Sequence, residues 1–257
     1  MALNPKITDW TGLRVWILGA SAGIGAALAR ELARRGARVA GTARNAAALE
    51  KALGACPGAL ALPGDVTRPE TIAAARDRIV AEWGGIDVAV FMAGTYTAAR
   101  AWDVPVEGAR SEVEINLMGA FNGVALVLPQ MLQQGRGALV LVSSVAGYRG
   151  LPNSLVYGAT KSALINMAET LYLDLAPRGV AVHLVNPGFV RTPLTDKNTF
   201  RMPALIEADE AARRIADGMA AGRFEIHFPK RFTGWLKLLE MLPYRWYFAA
   251  VRRFTGL

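Results

Sequence analysis

Only one cysteine, Cys56, occurs in 257 residues, so no disulfide can form within the chain. That usage fits a reducing compartment. Cys56 lies among small residues with no histidine or acid beside it, which gives it a structural reading. Two histidines, His183 and His227, are too few to build a metal site with it, and no ligand cluster is present. Both lie in apolar segments and are expected in the core. No stretch reaches the roughly 18 uninterrupted apolar residues of a membrane-spanning helix. Residues 1–10 carry Lys6 and Asp9 where a signal peptide would be apolar. Together these absences predict a cytoplasmic protein. Charged residues make up 19%, with a formal net charge of +8. The basic excess is spread over helix ends such as Arg34 and Arg35 and gathers near the C-terminus. No basic stripe alternates with aromatics, so nucleic acid is not an expected partner.

What is present is a chain with 53% hydrophobic residues, enough for a large core at the length of one α/β domain. Short apolar runs alternate with helix-period segments. Strands are expected at 13–19, 37–42, 59–62, 86–92, 138–143, 180–185 and 224–228. Helices are expected at 23–35, 45–53, 68–83, 106–133, 153–176 and 207–221. The strands are continuously apolar, as in a parallel sheet covered on both faces. The pattern predicts one Rossmann-like, doubly wound parallel sheet of about seven strands. Its strand C-termini lie on one edge, where ligands bind. Residues 1–229 form the expected dinucleotide-binding and catalytic domain, and 230–257 a basic amphipathic C-terminal extension.

The first strand runs into Gly19-Ala-Ser21-Ala-Gly23-Ile24-Gly25 and then a helix. Glycines there permit a tight turn and close approach of a pyrophosphate to the N–H groups at the helix start. The second strand ends Gly41-Thr42-Ala43-Arg44. An NAD enzyme places an acid here for the ribose 2′-hydroxyl, and none is present. Arg44 offers a cation for a 2′-phosphate, which favours NADPH. The other reading of Arg44 is a solvated side chain beside the next helix start.

The spacing G-x3-G-x-G resembles that of the short-chain dehydrogenase/reductase family, and the resemblance spans roughly residues 12–229. Asp65-Val66 then matches the adenine-contacting position. Ala93-Gly94 matches the end of an Asn-Asn-Ala-Gly motif whose two asparagines are Phe91 and Met92 here. Asn116, Ser144, Tyr157 and Lys161 resemble the family's catalytic tetrad. Tyr157 and Lys161 are four apart on one helix face. Ser144, rather than Ser143, has the family's spacing to Tyr157. Pro187-Gly188, with Val190 and Thr192, matches the segment beside the nicotinamide. The resemblance implies a reversible hydride transfer with Tyr157 as general acid and base. Lys161 would lower the phenol's pKa from near ~10 and bind the nicotinamide ribose, Ser144 would bond the reacting oxygen, and Asn116 would hold a relay water. It also implies a homodimer or homotetramer.

Residues 194–206, with Phe200, Met202 and Leu205, correspond to the family's mobile lid. Together with Val145, Leu151 and Leu155 they suggest an apolar carbonyl or alcohol substrate. After Pro229, Trp235, Leu238, Leu239 and Leu242 follow helical i, i+3, i+4, i+7 spacing, and a second apolar face continues through Ala250, Val251 and Phe254. Lys230, Arg231, Lys237, Arg245, Arg252 and Arg253 surround these faces. Such a tail suits peripheral contact with a membrane, or docking on a partner subunit or on the core. The alternative function is a non-catalytic NADPH-binding protein attached through this tail. It has no use for the proton donor that Ser144, Tyr157 and Lys161 imply.

Overall fold

A computed structural model describes residues 2–197 and 202–256. Seven strands form one parallel sheet: β1 (Arg14–Leu18), β2 (Arg38–Thr42), β3 (Leu60–Ala61), β4 (Val88–Phe91), β5 (Gly137–Val142), β6 (Val180–Pro187) and β7 (Glu225–Phe228). Their spatial order is β3-β2-β1-β4-β5-β6-β7. The winding direction therefore reverses between β1 and β4, where a doubly wound sheet opens a crevice at its carboxyl edge.

Alternation along each strand builds two cores. In β1, Val15 and Ile17 face Leu28 and Leu32 of α1 (Gly23–Arg34), Leu49 of α2 (Ala46–Leu53), and Ile215 and Met219 of α7 (Ala208–Ala220). Trp16 and Leu18 face the opposite layer. That layer comprises α3 (Pro69–Trp83), α5 (Gly119–Gln134) and α6 (Leu155–Leu175). Ile72, Ile79, Val127, Met131 and Leu164 are its anchors. Each fully buried aliphatic side chain stabilises the fold by about 2 kcal/mol. The wholly buried Trp16 satisfies its indole N–H by donating to Thr42 Oγ1 at 2.9 Å.

The long helix expected at 106–133 is two helices, α4 (Val106–Val113) and α5, joined by a π-helical turn at Glu114–Met118. The sequence carries no breaker there, which is why its periodicity reads as one helix. The span Val106–Gln134 is long and apolar enough to cross a membrane, but Val124, Val127 and Met131 pack into the core beside the sheet. The helix expected from Asn153 starts at Leu155, because Asn153 adopts a left-handed φ of 61°.

After β7 the chain forms α8 (Lys230–Glu240) and α9 (Tyr244–Thr255). Both dock on the body. Thr233, Leu239 and Tyr247 are buried, and the Tyr247 hydroxyl donates to Gly150 O at 2.8 Å. Arg149 Nη1 donates to Leu239, Glu240 and Leu242 carbonyls, and its guanidinium lies over the Tyr244 and Tyr247 rings. The tail's apolar spacing is thus split. Leu239 and Tyr247 turn inward, whereas Trp235 and Leu238 are exposed.

Candidate active site

A cleft of about 520 Å³ opens where β1 and β4 diverge. That size suits a small-molecule ligand. Its wall gathers the predicted residues of the first turn, Gly19, Ser21, Gly23, Ile24 and Gly25. It adds Arg44 after β2, Asp65 and Val66 after β3, and Ala93 and Gly94 after β4. Ser144, Tyr157 and Lys161 line it as well, as do Pro187, Gly188, Val190 and Thr192 after β6.

The first turn fits a pyrophosphate. Gly19 has a φ of 104°, and a Cβ there would stand 2.6 Å from Ala93 N. A Cβ on Gly25 would stand 2.0 Å from Gly19 O. Only glycine permits this packing. No side chain caps the first turn of α1, so its amides face the cleft as a helix N-terminus with anion-binding character.

Arg44 is exposed on the rim. Among the described residues no side-chain hydrogen bond or ion pair engages it. The start of α2 is capped instead by Asn45, whose Oδ1 accepts from Ala48 N at 2.9 Å. Asp65 is committed locally, since its Oδ1 accepts from Thr67 N at 3.0 Å and Thr67 Oγ1 at 2.9 Å.

The reacting group sits at the start of α6. Tyr157 and Lys161 share one face, with Lys161 Nζ 5.5 Å from the Tyr157 ring centre. Lys161 Nζ donates to Val142 O at 2.9 Å. Burial pushes the ammonium's pKa down to about 8, opposed by the charge of Glu112. Tyr157 is half-buried and lines the cleft. Burial pushes its pKa up to about 12, against the lowering effect of a hydrogen bond with Ser144, and Glu112 and Tyr96 push it further up. At neutral pH the pair is therefore a neutral phenol beside a protonated amine. The lowered phenol pKa expected from Lys161 is not seen here, where desolvation dominates and the lowering influence is Ser144. Ser143 does different work, donating to Lys161 O at 2.7 Å and bracing α6 against β5.

Asn116 does not line the cleft; it lies directly behind it, buried within the π-helical turn. Its Oδ1 accepts from Thr95 N at 2.7 Å, and its Nδ2 donates to Thr95 O at 3.0 Å and Thr160 Oγ1 at 3.1 Å. Asn116 Oδ1 and Lys161 Nζ converge on Gly94, 3.4 Å and 3.6 Å from where a Cβ on that glycine would stand. Both side-chain amide hydrogens are engaged with protein, so the side chain clamps the 93–96 segment to α6.

Glu112, on α4 one turn before Asn116, carries no motif. Its side chain is 1% exposed. Neither carboxylate oxygen has a hydrogen-bond partner among the described residues, although the Thr97 backbone N–H lies near enough to oppose the effect of burial. Burial raises its pKa, and Lys161 lowers it. Tyr96, whose ring meets Tyr157 edge-on at 5.2 Å, completes this group. His183 is a core residue, whereas His227, expected there too, is only half-buried because β7 is the edge strand. His183 Nδ1 lies 2.6 Å from Arg223 O, and His227 Nδ1 lies 2.6 Å from Thr233 Oγ1. In the expected lid, Phe200 lies outside the described residues. Val190 and Ile206 pair as an isolated bridge across its ends.

Comparison with known proteins establishes the family and agrees with the fold. Residues 14–202 match the family model of short chain dehydrogenases. An uncharacterized oxidoreductase of Myxococcus xanthus is 37% identical over 243 residues, covering 92% of this chain and 95% of the relative. The 3-oxoacyl-[acyl-carrier-protein] reductase FabG of Thermotoga maritima is 36% identical over 188 residues, 70% of this chain and 75% of that protein. A short-chain dehydrogenase structure from Streptomyces avermitilis superposes with a TM-score of 0.78 at 29% identity, covering 88% and 91% of the two chains. The family's nicotinamide cofactor fits the glycine cradle and the open helix start. This chain belongs to the short-chain dehydrogenase/reductase family of NAD(P)-dependent oxidoreductases.

Proposed function

We propose that this protein is an NADPH-dependent carbonyl reductase acting on an apolar ketone or aldehyde, with Tyr157 as the proton donor. The observation that carries this reading is the placement of Tyr157, Lys161 and Ser144 together on the wall of the cleft, with Lys161 Nζ 5.5 Å from the Tyr157 ring centre. Bound NADPH supplies the hydride to the carbonyl carbon. Tyr157 gives its phenolic proton to the carbonyl oxygen, so the product is a neutral alcohol. Ser144 Oγ donates a hydrogen bond to that oxygen as negative charge grows on it. The Lys161 ammonium then stabilises the phenolate until a proton returns. Asn116 keeps Gly94 and Lys161 in register through its bonds to Thr95 and Thr160.

Two features support the finer assignments. Arg44, without a side-chain partner among the described residues, suits a 2′-phosphate through its forked donors. Leu194 on the cleft wall, with Leu155 at the start of the helix that carries Tyr157, suits an apolar substrate. The test is NADPH oxidation, followed by absorbance, with a panel of aliphatic and aromatic ketones and aldehydes. Turnover of apolar members is expected. Turnover confined to charged or sugar-like carbonyls, or none at all, would overturn the substrate class.

A further inference from the structure

Helices α8 and α9 present an apolar and basic face to the outside. Seven of the seventeen large hydrophobic side chains exposed among the described residues lie between 235 and 254. Arg231, Trp235, Leu238 and Met241 share one side of α8, with Trp235 58% and Met241 82% exposed. The other side of α8 is used up, with Thr233 and Leu239 buried against the body. The stripe does not end with α8. The Trp235 ring meets that of Phe254 edge-on at 6.4 Å, so the end of α9 extends it. On α9 the buried Tyr247 faces inward, and Arg245 and Arg252 occupy the opposite side, flanked by the exposed Trp246 and Phe248. Residues 230–257 hold six cationic side chains and a single acid, Glu240.

We propose that this hairpin seats the enzyme on a bilayer surface bearing anionic phospholipids. Tryptophan and tyrosine are at home at the boundary between headgroups and acyl chains, where one end is apolar and the other wet. Each cation near such a surface contributes about 1 kcal/mol by attraction to anionic headgroups. Charge also argues against the competing occupant, a second copy of this chain. A two-fold contact through this face would set its arginines against their own counterparts. The inference concerns the outer side of α8 and α9, whose exposed residues do not line the cofactor cleft, and does not depend on which carbonyl is reduced.

The experiment uses the full chain with two kinds of vesicle, pure phosphatidylcholine and equal parts phosphatidylcholine and phosphatidylglycerol. Co-sedimentation and tryptophan emission are followed, and light scattering reports the mass. Binding to the anionic vesicles, weakened by salt and accompanied by a blue shift, is expected. The triple variant Arg245→Gln, Arg252→Gln, Arg253→Gln should lose about a hundredfold in partitioning, a loss of ~1 kcal/mol per charge converted at 1.4 kcal/mol per tenfold. Trp235→Ser with Trp246→Ser should remove the blue shift while the melting temperature is retained. Absence of binding to the anionic vesicles, or equal binding by the triple variant, would overturn the proposal. A fall in mass of the tryptophan variant without lipid binding by the parent chain would assign the face to contact between copies instead, and would also overturn it.

Discussion

Glu112 and Lys161 form a buried pair of opposite charges with no direct bond between them. The amine donates instead to Val142 O, and the carboxylate has no hydrogen-bond partner among the described residues. An unpaired buried carboxyl is costly, and burial duly raises its pKa. Its charge nevertheless holds up the proton affinity of both Lys161 and Tyr157.

That arrangement makes a prediction about pH. Burial brings the Lys161 ammonium down to about 8, so reduction should fall as pH rises through that region and the amine loses its charge. Glu112→Gln is nearly isosteric and removes the charge that supports the ammonium. The basic limb of the kcat/KM profile for ketone reduction should therefore move to lower pH. An unchanged limb would show that Glu112 does not act on the pair.

Arg44→Ala should raise KM for NADPH by one to two orders of magnitude, the usual effect of losing a charge-assisted contact worth about 1.5–3 kcal/mol. KM for NADH should barely move. Initial-rate kinetics with both cofactors give the answer, and equal losses would remove the assignment to a 2′-phosphate.

His183 couples the core to acid. Burial pushes its pKa down to about 4 from an ordinary 6.5, so the folded state disfavours protonation. Its stabilising contribution is fully present above pH 6.5 and is lost as pH falls from there toward 4, by roughly 3 kcal/mol. Urea unfolding at pH 7 and pH 4.5 should show a clear drop in stability. His183→Gln, which cannot titrate, should show a smaller one. An equal drop in the two proteins would mean that other groups dominate acid unfolding.

The sheet was legible because strands buried on both faces leave continuous apolar runs, as at 88–91 and 180–185. The first turn was legible because Gly19 and Gly25 answer to steric demands that no other residue meets. The π-helical turn at Glu114–Met118 left no mark, since a widened turn needs neither proline nor glycine. Glu112 escaped notice for a related reason: a carboxylate at helical spacing normally faces solvent, and tertiary packing of α4, against α6 among others, buries it. The tail's spacing predicted two amphipathic helices, but not which apolar residues would turn inward. That orientation involves contacts distant in sequence, such as Arg149, which binds the last carbonyls of α8 from a loop some ninety positions earlier.

The most direct test of the central claim is Tyr157→Phe. The variant removes one hydroxyl and keeps the ring that packs against Tyr96. Turnover of an apolar ketone should fall at least a thousandfold, while NADPH binding, followed by fluorescence titration, stays within a few-fold of the parent protein. Turnover within tenfold of the parent protein would contradict the account.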